Sequence, residues 1–299
     1  MDYGEVLKKG WDITWKNKGL WLLGILSGCS SGAGNPSQGF QWTTSGQDFP
    51  GLERSISGVP EETWILIAVG LVCLILLFAA AAIVLGILGQ AGLMAGVSRA
   101  DETGSVKLGE AWRLGLPHFW RLLGVAAIVV AVVLVLALLF GFLAVISFGM
   151  VALCILPILC LAIPLGIVVS GYMSLVQNGI VLERKGVFEG FGRGWELLRA
   201  NFWPVVLVAV ILAVIGIVAG VAISLPLFIA ALPLMAVALS QPDPELAAFL
   251  PLIGCFVLYL PVLIILGGIL KTYVSSVWTL TYRRLTGMGL SAVAVPATS

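Results

Sequence analysis

The sequence predicts an all-α, polytopic membrane protein: six transmembrane helices forming three repeated hairpins, each preceded by an amphipathic interfacial helix. Three observations predict it. The 299 residues are 60% hydrophobic and only 10% charged, far from the roughly 25% charged of a soluble domain. The charges are absent from long stretches, Leu20–Gln47, Trp64–Ser98, Leu122–Leu182, Ala200–Pro242 and Leu246–Leu270. A tryptophan followed by an aromatic pair recurs ahead of the apolar runs.

Taken in order, the apolar stretches give the spans. A bilayer core of ~30 Å needs about 20 apolar helical residues. Leu20–Gly34 is a short first span, because Ser, Gly and Cys follow Leu26. Trp64–Gly89 is a second. Leu122–Val169 holds two more, turning at Ser147–Met150. Pro204–Leu225 and Leu252–Leu270 complete six. Pro157, Pro164, Pro226, Pro233 and Pro261 are expected to kink or interrupt spans. Gly216, Gly220 and Ser224, and Gly92 with Gly96, are expected to let helices pack closely.

Orientation follows from the loops. Residues 1–19, 99–121, 183–201 and 271–299 carry fifteen of the sixteen Lys and Arg, and the opposite loops carry only Arg54. The positive-inside rule places both termini in the cytoplasm. Residues 29–63, rich in Gly, Ser, Asn and Pro, form an outward loop, and 288–299 form a cytoplasmic tail.

The chain reads as one membrane domain, 1–299, of three repeats at 3–104, 105–186 and 187–287. In each, a tryptophan is followed six residues later by Asn17, His118 or Asn201, then by Leu20-Trp21, Phe119-Trp120 or Phe202-Trp203. Each repeat ends near Gly104, Gly186 or Gly287, and Gln90, Tyr172 and Tyr273 stand fourteen residues before those glycines. In the third opener Phe188, Phe191, Trp195, Leu198 and Phe202 make one apolar helical face. The second does this less well, with Leu108, Trp112 and Phe119. Trp11, Trp21, Trp112, Trp120, Trp195 and Trp203 are the expected interfacial anchors. The return helices continue past the apolar run, through Ser170–Asn178 and Lys271–Arg283, to pack on the openers.

No Asp, Glu, Lys or Arg lies within the long apolar runs, which argues against a proton-coupled pump. Lys271, the nearest cation, either snorkels to the interface or meets an anionic headgroup or substrate beside Tyr273, Tyr172 and Gln90. Gln177, Asn178 and His118 are further candidate contacts. His118 is the only histidine, so no His-based acid–base pair or metal cluster is expected. The five cysteines contain no CxxC, so neither a disulfide framework nor a zinc site is indicated, and no cofactor is expected. Leu26-Ser27-Gly28-Cys29 matches a bacterial lipobox, making Cys29 a candidate lipidation site.

The openers Asp2–Trp11 with Leu20–Gly24, and Phe188–Trp195 with Asn201–Trp203, resemble a family of bacterial membrane proteins of unknown function. They are similar too to the membrane domain attached to some glycerophosphodiester phosphodiesterases. The resemblance implies a six-span bundle in a prokaryotic inner membrane. It transfers no catalytic residues, since the phosphodiesterase chemistry lies in a separate soluble domain absent here.

The expected partners are membrane lipids and a membrane protein partner; a net charge of +1 with no basic block excludes nucleic acid. A non-enzymatic lipid- or partner-binding module fits these features first. A transporter, channel or exporter-associated subunit would need a polar cavity near Lys271, Gln90, Gln177 or Asn178. A lipid-modifying enzyme would need two of Glu110, Glu183 and Glu189 facing one pocket.

Overall fold

The computed structural model describes residues 2–34, 61–146, 151–240 and 250–288, and all regular structure among them is helical. Nine α-helices are described: α1 Tyr3–Lys16, α2 Gly19–Gly34, α3 Glu61–Thr103, α4 Leu108–Gly115, α5 Phe119–Ile146, α6 Val151–Leu182, α7 Val187–Ala200, α8 Phe202–Ser240 and α9 Leu250–Leu285. A 3-10 turn, Leu116–His118, joins α4 to α5. The outward loop from 35 to 60, the turn at 147–150 and the tail from 289 lie outside the described residues.

Five helices are long and apolar enough to cross a membrane, over Val69–Thr103, Leu108–Phe142, Pro164–Leu182, Phe202–Ala230 and Gly254–Leu285. The sixth expected span is represented by α2, whose apolar part covers only Gly19–Gly28. None of the five prolines ends a helix: α6, α8 and α9 run through them. Two helices far exceed a bilayer. The 43 residues of α3 and the 39 of α8 reach roughly 65 and 58 Å at 1.5 Å per residue.

The reason for this length is a division of the bundle into two ends. At one end α3, α6 and α9 touch one another and carry α1, α2, α4 and α7 around them. Leu20, Leu23, Leu93, Val97, Leu175, Val205, Val277 and Tyr282 are buried there in one cluster. At the other end the helices splay. Residues 71–80 of α3 and 131–142 of α5 are exposed without a break. A helix that packs on a neighbour buries every third or fourth residue. About three turns of unbroken exposure mean that no face of these segments meets another helix.

Glycine sets the close approaches of the packed end. A Cβ at Gly24 would collide with the Thr272 hydroxyl and the Gly268 carbonyl, so α2 and α9 touch backbone to backbone. Gly92 and Gly96 admit Ala111 of α4, as expected: a Cβ at Gly96 would lie 2.8 Å from the Ala111 Cβ. The expectation fails for Gly216 and Gly220. A Cβ there meets nothing within 4 Å, because both lie in the splayed part of α8. Ser224 bonds only its own helix, at the Val221 carbonyl.

The three short helices seat themselves on the long ones through small residues. Gly10 of α1 faces Val277 and Tyr273 of α9; Ala111 of α4 faces Gly92 and Gly96 of α3; Gly194 of α7 faces Val176 and Tyr172 of α6. The packed face of α7 is Gly190, Gly194, Leu197 and Leu198. The aromatic face read from the sequence looks the other way. Phe188 is 82% exposed, and Trp195 and Phe202 are exposed as well. Only Leu198 of that stripe is buried, and Phe191 is half-buried.

Candidate functional site

Each turn between a short helix and the long one that follows is pinned by one polar side chain. Asn17 Nδ2 donates to the Ile13 carbonyl at 3.1 Å and Asn201 Nδ2 to the Leu197 carbonyl at 3.5 Å. His118 Nδ1 lies 3.3 Å from the Leu114 carbonyl, a contact that requires the proton on Nδ1. All three reach the carbonyl four residues back; at Ile13 and Leu197 that carbonyl also accepts from the backbone amide of the same Asn17 or Asn201, at 3.1 and 2.9 Å. Asn17 Oδ1 also accepts from the Val106 amide at 2.9 Å, tying the α1–α2 turn to the α3–α4 linker. His118 is buried and spent on this cap.

Aromatic rings ring the same level. Trp11 packs edge-on against Tyr273 at 5.8 Å and Trp195 against Tyr172 at 6.2 Å. Trp21 donates from Nε1 to the Thr14 carbonyl at 2.8 Å, and Trp21 and Trp112 are half-buried. Trp120 and Trp203 stand out at 76% and 77% exposure, each edge-on to the preceding Phe119 or Phe202. The Arg199 guanidinium lies 4.6 Å above the Trp195 ring.

Charge at the packed end is of two kinds. Part of it is locked. Arg283, buried, reaches Asp101 at 3.1 Å, Glu102 at 3.0 Å and the Ser98 carbonyl at 2.6 Å, while Lys9 closes on Asp101 from α1. Arg284 pairs with Glu5 at 2.7 Å. On the far side the Tyr282 hydroxyl donates to Glu183 at 2.5 Å, and Lys185 and Arg193 pair with the same carboxylate. Burial pushes the Glu183 carboxyl up, but the bonds from Tyr282 and Lys185 and the charges of Arg193 and Lys185 outweigh it and hold it below the usual range. The Glu196 hydrogen bond, and then Glu183, raise Arg193. Of the rest, Lys8, Lys16, Lys18, Lys107, Arg113 and Arg184 are exposed with no carboxylate partner among the described residues, and Asp12 is an exposed acid likewise without a salt bridge.

Between α3, α6 and α9 runs a polar track. Gln90 Nε2 donates to Gln177 Oε1 at 2.7 Å, joining α3 to α6. Thr279 Oγ1 donates to Asn178 Oδ1 at 3.0 Å, joining α9 to α6, and Asn178 Nδ2 donates to the Ser174 carbonyl. The Tyr172 hydroxyl donates to the Phe191 carbonyl at 3.1 Å. Gln90, Gln177, Asn178 and Tyr172 therefore each fasten one helix to another. Lys271 is the exception, with no partner among the described residues, and the hydroxyl of buried Ser275 one turn on makes no hydrogen bond.

The sequence missed Ser275, Thr279, Tyr282 and the Asp101–Arg283 pair. Only helical spacing from Lys271 could have singled out Ser275. Glu110 pairs with Arg99, Glu183 with Tyr282, Lys185 and Arg193, and Glu189 caps its own helix at the Gly186 amide. Among the described residues no group of His, Cys, Asp or Glu is placed to hold a metal ion. The side chain of Cys29 lies outside the described residues; upstream of it Leu20, Leu23 and Ser27 are core.

The model of one protein family, a domain of unknown function (DUF7847), matches residues 65–285. The chain belongs to that family. No curated protein and no solved structure matches it.

Proposed function

We propose that this member of a family of unknown function is a non-enzymatic, multi-pass protein of a prokaryotic cell membrane that gathers anionic lipid headgroups at its packed end. The observation that carries the reading is the pairing of Trp11, Trp120, Trp195 and Trp203, all exposed, with the unpartnered cations Lys8, Lys16, Lys18, Lys107 and Arg113 at the same end. Indole rings settle at headgroup depth, and Lys and Arg near an anionic surface gain about 1 kcal/mol each. Glycine-faced seating of α1, α4 and α7 frees their aromatic sides for that surface.

The framework we propose is six crossings in three repeats, with the packed end and both termini cytoplasmic. α2, 16 residues and about 24 Å long, is the short crossing. Three parallels support the repeats: α1 on α9 and α7 on α6 pack at the same register, with α4 on α3 two residues further along; Asn17, His118 and Asn201 make the same bond; and Trp11–Tyr273 matches Trp195–Tyr172. Each short helix thus lies on the long return helix of the preceding repeat, with α1 on the last, so the three units close into a ring.

The test is fluorescence of the purified protein in phosphatidylcholine vesicles, quenched by brominated phosphatidylglycerol or the same fraction of brominated phosphatidylcholine. Stronger quenching by the anionic lipid is expected at low salt, with the excess shrinking at high salt. Equal quenching at low salt would reject the reading.

A further inference from the structure

Resting on the lipid reading above, we infer that Arg121 and Arg184 form a surface site for the headgroup phosphate of one anionic phospholipid, where α5 meets the α6–α7 turn. The backbone gives the first sign. After the three return helices α3, α6 and α9 the chain turns left-handed, at Gly104 with φ 81°, at Gly287 with φ 73° and at Arg184 with φ 54°. Glycine enters that region freely, whereas a side chain there is strained. Two of the turns have the residue this conformation prefers, and the third has an arginine. Strain of this kind persists where the surroundings enforce it, and it points to a use for the side chain.

The turn is held from α5. Arg121 Nη1 donates to the Arg184 carbonyl at 2.6 Å. That bond brings one guanidinium to the backbone from which the other side chain starts, and both charges are felt at the His118 ring. Both arginines are exposed, so an anion reaches them without opening the fold. Neither has a salt-bridge partner among the described residues. The acids that flank the turn in sequence are taken: Glu183 by Tyr282, Lys185 and Arg193, and Glu189 by the Gly186 amide. The amides of Arg184 and Lys185 make no hydrogen bond among the described residues. Two cations held this close repel, and an anion shared between them removes the repulsion. A guanidinium has five N–H donors in a planar fork that suits phosphate oxygens, and Arg121 spends one of its five on the turn.

The occupant is a lipid rather than a free anion because of the rings around the pair. Trp120, next to Arg121, and Phe188, four residues after Arg184, both stand exposed. Gly124, one turn beyond Arg121 on α5, faces Val187: a Cβ there would lie 3.1 Å from the Val187 side chain. The two arginines and the two rings therefore share one patch. Exposed aromatic rings settle at headgroup depth, with arginine at the phosphates. A soluble anion gains nothing from those rings, whereas a phospholipid with its phosphate between the arginines lays its glycerol and upper chains against them.

Native mass spectrometry from mild detergent, with phosphatidylglycerol or phosphatidylcholine added, tests this. The wild-type chain is expected to retain one phosphatidylglycerol in preference to phosphatidylcholine. Arg184→Gly should cut that retention about tenfold, the loss typical of one hydrogen bond to a charged group. Because it also relieves the left-handed strain, it should leave the melting temperature unchanged or raised, a pairing that a merely structural arginine would not give. Arg121→Gln should cut retention to a similar extent, and Lys107→Met should keep it. Retention in Arg184→Gly or Arg121→Gln equal to wild type, or an equal loss in Lys107→Met, overturns the site. So does a fall in the melting temperature of Arg184→Gly. A melting-temperature rise with inorganic phosphate at matched ionic strength, present in the wild type and lost in Arg184→Gly, overturns the lipid assignment. Bromolipid quenching that is anion-selective in the wild type while Arg184→Gly retains lipid normally rejects this site alone; quenching without anion selectivity rejects the surface reading with it.

Discussion

The two ends of the bundle are built from the same helices under opposite rules. At the packed end Gly24 and Gly268 bring backbones into contact, buried Arg283 meets its carboxylates, and Asn178 finds Thr279. At the splayed end Leu74, Phe78 and Leu138 of equally regular helices are 66%, 78% and 66% exposed. The contrast teaches where the solvent changes. In lipid, an apolar side chain gains nothing by leaving acyl chains for another helix, so association there needs small residues or polar bonds. The splayed segments carry small residues that no helix meets, Gly141, Gly216 and Gly220 among them, and few polar bonds, whereas at the packed end both are in contact. Tyr259, donating to the Ile223 carbonyl at 2.8 Å, marks the one polar tie described between α8 and α9 in that region.

Substitutions chosen from the two ends should therefore behave differently. The largest effect is expected from Arg283→Met, which removes the buried cation facing Asp101 and Glu102. Leaving those acids with fewer partners should cost about 3–5 kcal/mol, read as thermal unfolding in detergent. Gly194→Val comes next: its Cβ would lie 2.6 Å from the Val176 side chain, and overpacking of about 1–3 kcal/mol is expected by the same measurement.

Smaller still is the Tyr282–Glu183 bond, where Tyr282→Phe should cost about 1–2 kcal/mol. Glu183 also gives the packed end an acid limb. Its carboxyl is held below its ordinary value when folded. Its contribution is thus complete above the ordinary carboxyl pKa and is lost as pH falls through the lowered one. Glu183→Gln should flatten that limb of a stability-against-pH curve. The smallest effect is expected at the splayed end. Gly216→Ala and Gly220→Ala meet open space, so they should be neutral or gain up to about 1 kcal/mol of helix propensity. A loss comparable to Gly194→Val would mean that α8 packs on something at that level.

Much of the long-helix framework was legible because a bilayer imposes length and charge rules that a sequence displays directly. The turns at Asn17, His118 and Asn201 were legible as positions, since the aromatic spacing marks them. Their shared bond to the carbonyl four residues back was not, because Asn and His look unlike one another. The seating of α7 was misread for a physical reason. Phe188, Trp195 and Phe202 dominate any hydrophobic pattern, while Gly190 and Gly194, which make the contact, add nothing to it. Gly216 and Gly220 erred in the opposite sense, as the same spacing occurs where no helix comes near. The splay itself leaves no trace in sequence: a helix apolar all round reads alike whether lipid or protein covers it. Of the site, Lys271 was legible as a lone cation, whereas Ser275, enclosed one turn on, carries no signal in the sequence.

The division into a packed and a lipid-filled end is tested most directly by a spin-label scan of α3 in lipid nanodiscs, measuring oxygen accessibility at each position from 71 to 80 and from 91 to 100. Uniformly high accessibility is expected across the first set, and across the second a rise and fall with the helical period of 3.6 residues. A 3.6-residue oscillation within 71–80 would contradict it, for one face of that segment would then be covered by protein.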